Sequence, residues 1–140
     1  MAAELLLDSG ALVSLLDRSQ THYAACRRLF DGWDGAVVST EAVLTEATHL
    51  LGGVHGGAAR CVEFFLAGGA LLVPSTAGSL KRVRVLLNKY ADLPMDYADA
   101  TLVALAEELG TAVVFTTDRT DFSIYRLKGR KPFHILPELT

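Results

Sequence analysis

A short apolar run that ends in an acid constrains the fold of this chain more than any other feature. Leu5, Leu6 and Leu7 are followed directly by Asp8 and Ser9, and a helical pattern of leucines comes next. An unbroken apolar run of this length predicts a strand that is covered on both faces of a sheet. Because clefts form at the carboxyl edge of parallel sheets in open α/β folds, we expect Asp8 to lie at such a cleft.

Strand-like and helix-like segments alternate along the rest of the chain. Strands are predicted at residues 5–7, 36–38, 70–73, 112–115 and 133–136, and helices at 10–17, 58–66, 80–90 and 97–109. Further helices are predicted from about Thr21, after Thr40 and, as a short one, after Phe122. Such alternation implies right-handed crossovers between parallel strands. We therefore expect one domain over residues 1–140, a three-layer α/β/α sandwich with a central, mainly parallel sheet of four to five short strands.

Polar residues in front of the helical patterns are the predicted helix caps. Thr40 precedes the helix that carries Glu46, and Asp96 precedes the helix at 97–109. Ser9 and Ser79 are assigned the same role for the helices at 10–17 and 80–90. In each case the side-chain oxygen can accept a hydrogen bond from a free N–H of the first turn.

Composition limits the classes of function. The net charge is −3, from 13 basic and 16 acidic residues, so total charge neither indicates nor excludes a nucleic-acid partner. Cys26 and Cys61 lie in helical patterns without zinc-like spacing and are predicted to be buried thiols of a cytoplasmic protein. Neither a signal peptide nor a membrane span is expected. A nucleotide cofactor is not expected either, because no glycine-rich phosphate loop follows the first strand.

Four acids that are far apart in the sequence occupy similar settings. Asp8 and Asp118 each follow a predicted strand, whereas Glu46 and Asp99 lie at the border of the buried face of a helix. If they converge, their mutual repulsion requires a cation, and oxygen ligands favour Mg²⁺ or Mn²⁺. Such a site can catalyse phosphoryl transfer or phosphodiester hydrolysis.

Each acid also has a structural explanation that needs no metal. Asp8 can be a helix cap, and Glu46 can be a surface residue on a helix flank. Asp96 and Asp99 are spaced as a cap and the third helical residue, where acids interact favourably with the helix dipole. Asp118 can form a turn. The joint placement of the four acids, rather than any one of them, indicates a site.

The chain resembles the PIN domain family, and more narrowly the VapC-like ribonuclease toxins. The motifs that carry the resemblance are Leu7–Leu12, Leu44–Ala47, Tyr97–Ala106 and Phe115–Phe122, in this order. Together they cover essentially the whole chain. The resemblance implies a Mg²⁺- or Mn²⁺-dependent endoribonuclease. It also implies a homodimer and a small antitoxin protein whose tail blocks the acidic site.

When the residue roles of the family are transferred position by position, the resemblance implies that the catalytic residues are Asp8, Glu46, Asp99 and Asp118. Asp8, Asp118 and Asp99 would hold metal, and Glu46 would bind metal or orient the attacking water. Asp121 corresponds to an additional acid of some members, and Thr117 to a hydroxyl that helps to orient the acids. Asp96 has no assured counterpart in the family and is kept as a possible further site residue. Ser9 and Arg119 are candidate contacts to RNA. His49, one turn from Glu46, is interpreted as a surface residue that could touch substrate.

Basic residues near the site would help an RNA substrate to approach an acidic cleft. The candidates are Lys81, Arg82, Arg84 and Lys89 on one helix, and Arg119, Arg126, Lys128, Arg130 and Lys131 near the C-terminal end. Arg119 is the leading candidate because it directly follows Asp118. Solvated surface charge explains the same residues.

Other functions remain open at this point. One is a catalytically silent PIN-fold domain that binds RNA or protein, which four intact acids argue against. A phosphatase of the haloacid-dehalogenase-like type would need a second aspartate two residues after Asp8, where this chain has Gly10. A flavodoxin-like binding domain lacks its phosphate loop.

Overall fold

The computed structural model describes residues 3–139, and a five-stranded parallel sheet lies at its centre. The strands of the described chain are β1 (Leu5–Leu7), β2 (Val37–Thr40), β3 (Leu71–Val73), β4 (Val113–Phe115), β5 (Arg126–Leu127), β6 (Lys131–Pro132) and β7 (His134–Leu136). The order in the central sheet is β3-β2-β1-β4-β7, and β5 pairs with β6 as a separate antiparallel ribbon. This confirms the predicted parallel sheet and places β1 in its middle.

Helices cover both faces of the sheet. They are α1 (Ser9–Leu16), α2 (Tyr23–Gly32), α3 (Glu41–Leu50), α4 (Gly57–Leu66), α5 (Ala77–Lys89), α6 (Tyr97–Leu109) and α7 (Arg119–Ile124). Leu5 and Leu7 point into the core formed with α1, α2 and α4, whereas Leu6 points into the core formed with α5 and α6. Successive side chains of β1 thus point into the cores on opposite faces of the sheet. This confirms the predicted three-layer sandwich.

Two of the four predicted caps are confirmed. The Thr40 hydroxyl accepts the Val43 N–H at 3.3 Å, and the Asp96 carboxylate accepts the Asp99 N–H at 2.8 Å. The prediction for Ser79 is wrong, because α5 begins earlier and Thr76 caps it in a reciprocal pair with Ser79.

Ser9 was predicted as a cap, and this is also wrong. Asp8 occupies the cap position of α1, Ser9 is the first helical residue, and no side chain donates or accepts at the cap.

The β5–β6 ribbon was not predicted. Lys128 and Gly129 turn the chain with positive φ angles of 51° and 73°. Both cysteines are free and buried in the core on the α1 side, as predicted. No helix in the described part of the chain is long and apolar enough to cross a membrane.

Candidate active site

The pairing of β1 with β4 brings two of the acids together. Leu7 pairs with Phe115, and the Asp8 N–H donates to the Phe115 carbonyl at 2.9 Å. Both strands end at this point and run in the same direction, so Asp8 and the segment Thr116–Asp118 leave the same edge of the sheet. The predicted placement of Asp8 and Asp118 at one carboxyl edge is therefore confirmed.

Thr116 connects these two acids directly. Its buried hydroxyl donates to Asp8 Oδ2 at 2.7 Å and accepts the Asp118 N–H at 2.9 Å. Thr116 was not among the predicted site residues, although a hydroxyl residue between a buried strand and an acid was a visible signal. The implied orienting role for Thr117 stays a prediction. Thr117 lies against Gly10, where a Cβ would be 2.5 Å from its Oγ1.

Glu46 reaches the site from α3, which starts at the end of β2. The Ser9 hydroxyl donates a hydrogen bond to Glu46 Oε1. This contact ties the first residue of α1, which is buried, to the acid. The proposed contact of Ser9 with RNA stays a prediction.

Asp99 reaches the site from the first turn of α6 and is held by a residue that was not predicted. The Tyr125 hydroxyl donates to Asp99 Oδ2 at 2.8 Å. Tyr125 is fully buried, and its ring packs edge-on against Tyr90 and Phe122 at 5.2 Å between centroids. No pattern in the sequence indicated this contact, because Tyr125 follows a short helix and lies far from Asp99 in the chain.

The remaining acids combine structural and electrostatic roles. Asp118 caps α7, and its Oδ1 accepts the Asp121 N–H at 3.2 Å, which confirms that it also forms a turn. Burial raises the pKa of Glu46, and the nearby Asp96 raises it further. Burial and the neighbouring Asp118 raise the pKa of Asp121 to about 6.

Burial and mutual repulsion make the cluster costly to ionise. Burial raises the pKa of Asp8 to about 6, with smaller contributions from the charges of Glu46 and Asp118. Burial also raises the pKa of Asp99 to about 8, with Asp8, Asp96 and Glu46 adding to the effect. Within residues 3–139 no lysine, arginine or histidine forms an ion pair with any of these acids. The cluster therefore lacks a counter-charge from the described chain.

Three of the acids carry oxygen atoms of the kind that divalent metal ions bind. In each of them, one oxygen accepts a hydrogen bond from the protein. This oxygen is Oδ2 in Asp8, Oδ2 in Asp99 and Oδ1 in Asp118. Asp8 Oδ1 is buried without any partner within residues 3–139, and the Asp118 carboxyl also lies against that of Asp121. Oxygen atoms that are fixed but unpaired, on acids that repel one another, are a suitable donor set for a hard divalent cation.

The conformation described is not a closed ligand shell. Among residues 3–139 no three carboxyl, imidazole or thiol groups are close enough together to hold one ion. Ligation would therefore require the acids to rotate toward a shared ion, and the predicted metal-ligand set remains a hypothesis.

Two further features lie beside the acids. An open cleft of about 560 Å³ adjoins Glu46 between α3 and α6 and is lined also by His49, Asp96 and the exposed Tyr97. Arg119 lies at the start of α7, where its guanidinium donates to the Pro137 carbonyl at 2.8 Å. Its predicted contact with RNA is untested.

Comparison with known proteins agrees with this architecture. The family model of the PIN domain matches residues 5–127. Ribonuclease VapC26 of Mycobacterium tuberculosis is 31% identical over 137 residues, which cover 95% of this chain and 100% of that protein. This degree of identity over whole chains indicates a shared family and not only a shared fold.

Solved structures share the fold at lower identity. VapC20 of Mycobacterium tuberculosis, described as a toxin that cleaves the sarcin-ricin loop, superposes with a TM-score of 0.76 at 18% identity, covering 83% of this chain and 91% of that one. A toxin-antitoxin complex from Klebsiella pneumoniae gives a TM-score of 0.64 at 18% identity, covering 88% and 92%. The sequence matches, the fold and the cluster of acids together lead to one conclusion. The chain belongs to the PIN domain family, in its VapC-like subgroup.

Proposed function

We propose that this protein is an endoribonuclease that hydrolyses RNA phosphodiester bonds with the help of Mg²⁺ or Mn²⁺. The observation that carries the proposal is the set of Asp8, Asp99 and Asp118, each with one oxygen held by a donor of the protein. Asp8 and Asp99 are buried, Asp8 Oδ1 has no partner, and no described basic residue forms an ion pair with the three acids. The family relationship to a protein named as a ribonuclease supports the reaction class.

The acids have separate roles in the proposed site. Asp8, Asp99 and Asp118 would hold the cation, and Glu46 would orient the attacking water from the other side of the cleft. When bound, the cation supplies charge neutralisation at the scissile phosphate and makes water more acidic. Thr116 and Tyr125 act through Asp8 and Asp99, because each fixes one carboxylate oxygen and leaves the other directed away from its donor.

The proposed biological setting is that of a toxin with an antitoxin partner in the cytoplasm. A relative of the same fold was solved as a toxin-antitoxin complex. The chain exposes large apolar side chains on α3 and α4, where Leu50, Val62 and Leu66 are 54%, 44% and 77% exposed. Exposed apolar side chains of this kind are available to a protein partner, either an antitoxin or a second copy in a homodimer.

A cleavage assay on purified protein tests the proposal. Wild-type protein should cleave RNA with Mg²⁺ or Mn²⁺ and stop when EDTA is added. Asp8→Asn should reduce cleavage to background, whereas the matched change Asp34→Asn, at an exposed acid outside the site, should leave it unchanged. Cleavage that survives both EDTA and Asp8→Asn would refute a metal-dependent mechanism at these acids. RNA binding without cleavage under all conditions would support the silent binding domain instead.

A further inference from the structure

The basic residues of this chain are unevenly distributed. Eight of its 13 lysines and arginines fall within residues 77–89 and 126–131, and neither segment contains an acid. The eight residues are Lys81, Arg82, Arg84 and Lys89, which lie on α5, and Arg126, Lys128, Arg130 and Lys131, which lie in the β5–β6 ribbon. All 16 acids therefore lie elsewhere in the chain.

The fold joins these two segments into one surface. Glu107 of α6 accepts hydrogen bonds from Arg82 of α5 at 2.5 and 2.9 Å and from the Lys128 N–H of the ribbon at 2.8 Å. The Arg126 N–H donates to the Tyr90 hydroxyl at the end of α5 at 3.0 Å. The ammonium group of Lys89 lies close to Gly129. A Cβ added to Gly129 would be 3.0 Å from Lys89 Nζ. The ribbon is thus fixed beside α5.

Two of the eight charges are held by hydrogen bonds inside the protein, and the Lys89 ammonium group lies 5.3 Å from the centre of the Tyr90 ring. The Arg82 guanidinium is paired with Glu107, and the Arg126 guanidinium donates to the carbonyl groups of Ser123, Ile124 and Tyr125. The other six are exposed and form no ion pair within residues 3–139. We call them the basic face: Lys81, Arg84, Lys89, Lys128, Arg130 and Lys131.

The basic face is connected to the acidic site through two packed tyrosines. Arg126 directly follows Tyr125, whose hydroxyl holds Asp99, and Lys89 directly precedes Tyr90, whose ring packs on Tyr125. From this end the face extends along α5 to Lys81, roughly 12 Å away at 1.5 Å per residue. A ligand lying along the basic face would therefore have one end near the tyrosines that support Asp99.

We propose that the basic face binds the phosphate backbone of the RNA whose bond is cleaved at the acids. The inference rests on the function proposed above. A cluster of buried acids in a chain of net charge −3 repels phosphates, so a polyanionic substrate needs cations close by. Six exposed cations on α5 and the adjoining ribbon, none in an ion pair within residues 3–139, supply them. Contacts of this kind to phosphate give affinity without base specificity.

Direct binding measurements test the face separately from catalysis. The probe is a fluorescein-labelled, mixed-sequence single-stranded RNA, followed by anisotropy in EDTA over a series of salt concentrations. The variants are K128Q/R130Q/K131Q on the ribbon and, independently, K81Q/R84Q on α5. The matched control is R18Q/R28Q/R60Q, which removes three exposed arginines from the end of α1, α2 and α4, on the other side of the sheet.

The ribbon variant should bind RNA at least about tenfold more weakly, and its salt slope should fall by about 0.7 for each phosphate that is no longer neutralised. The α5 variant should shift both quantities in the same direction, and the control should match wild type. Equal binding by all variants, or an equally weakened control, would overturn the inference. So would a ribbon variant that keeps RNA binding but no longer binds poly-glutamate, since that identifies an acidic polypeptide as the ligand.

Cleavage by the same proteins separates the two proposals. With Mg²⁺, the basic-face variants should show a raised KM with kcat close to wild type. Weaker RNA binding in these variants, combined with no cleavage by wild type, would refute the proposed nuclease and leave the binding face standing. Normal cleavage with unchanged binding would refute the face alone.

Discussion

Single hydroxyl groups organise the acids at the residue scale. Thr116 holds Asp8, Ser9 holds Glu46 and Tyr125 holds Asp99, and each donor is buried. A buried carboxylate without a partner is expensive, whereas one donor per carboxylate fixes the side chain and leaves an oxygen for a ligand. The hydroxyls thus determine the direction in which each acid points.

Tyr125→Phe tests this role. The Tyr125 hydrogen bond lowers the pKa of Asp99 and so opposes the larger effect of burial. Without it the pKa of Asp99 should rise further, protons should compete better with metal, and Mn²⁺ affinity should fall by about tenfold or more. The midpoint of the pH dependence of Mn²⁺ binding should move to higher pH.

Tyr90→Phe is the matched control. Tyr90 belongs to the same aromatic cluster, and its hydroxyl accepts a backbone N–H instead of holding an acid. Both variants should lose about 1 kcal/mol of unfolding free energy in denaturant titrations. If Tyr90→Phe weakens Mn²⁺ binding as much as Tyr125→Phe does, Tyr125 has only a packing role.

At the scale of elements, the site depends on the close approach of α1 to the loop after β4. Gly10→Ala would place a Cβ 2.5 Å from Thr117 Oγ1, so the loop that carries Asp118 must move or Thr117 must rotate. We expect the unfolding free energy to fall by about 1–3 kcal/mol and cleavage to weaken.

The control for this change is Gly32→Ala, because no atom lies within 4 Å of a Cβ at Gly32 in α2. It should be neutral or slightly stabilising, since alanine is the better helix former. The destabilisation by Gly10→Ala should also shrink in a Thr117→Ala background. An equal destabilisation in both backgrounds would show that the contact with Thr117 is not the cause.

Sequence patterns predicted most elements because the chain separates them clearly. The strand Leu5–Leu7 and the helix Tyr97–Leu109 are bounded by polar residues or glycine, and Gly110 ends that helix with a φ of 68°. The start of α5 was missed because Thr76 and Ser79 are equally good caps, and only the structure shows that they act as a pair. The β5–β6 ribbon was missed because two-residue strands have no periodicity.

The candidate site was predictable in part for similar reasons. Asp8 and Asp118 follow strands, and the parallel pairing of those strands then brings them together. Tyr125 could not be found, because its contact with Asp99 depends on how α7 packs beside α6. The basic face needed the structure as well, since Glu107 and Tyr90 join segments that are distant in the sequence.

At the scale of the whole molecule, the acids should set the pH dependence of stability. Asp8 and Asp99 have pKa values of about 6 and about 8, against 3.8 in the absence of perturbation. The folded protein therefore retains protons that the unfolded chain has released, and stability should fall as pH rises from about 4 to about 8. Each unit by which a pKa is raised in the folded state corresponds to about 1.4 kcal/mol of this decrease.

A divalent cation should reverse this decrease because it binds the ionised acids. The gain in Tm on adding Mg²⁺ after EDTA treatment should be larger at about pH 8 than at about pH 5. An Asp8→Asn/Asp99→Asn variant should show a flatter pH dependence and little gain. A metal-free Tm that rises over this pH range would contradict the electrostatic account.

The central claim is that Asp8, Asp99 and Asp118 share a divalent cation, and calorimetric titration with Mn²⁺ tests it without reference to RNA. Wild-type protein should bind Mn²⁺, and Asp8→Asn or Asp99→Asn should each weaken that binding by at least about tenfold. Asp34→Asn should bind as wild type does. Undiminished Mn²⁺ binding in both site variants, or no Mn²⁺ binding by wild-type protein, would contradict the claim.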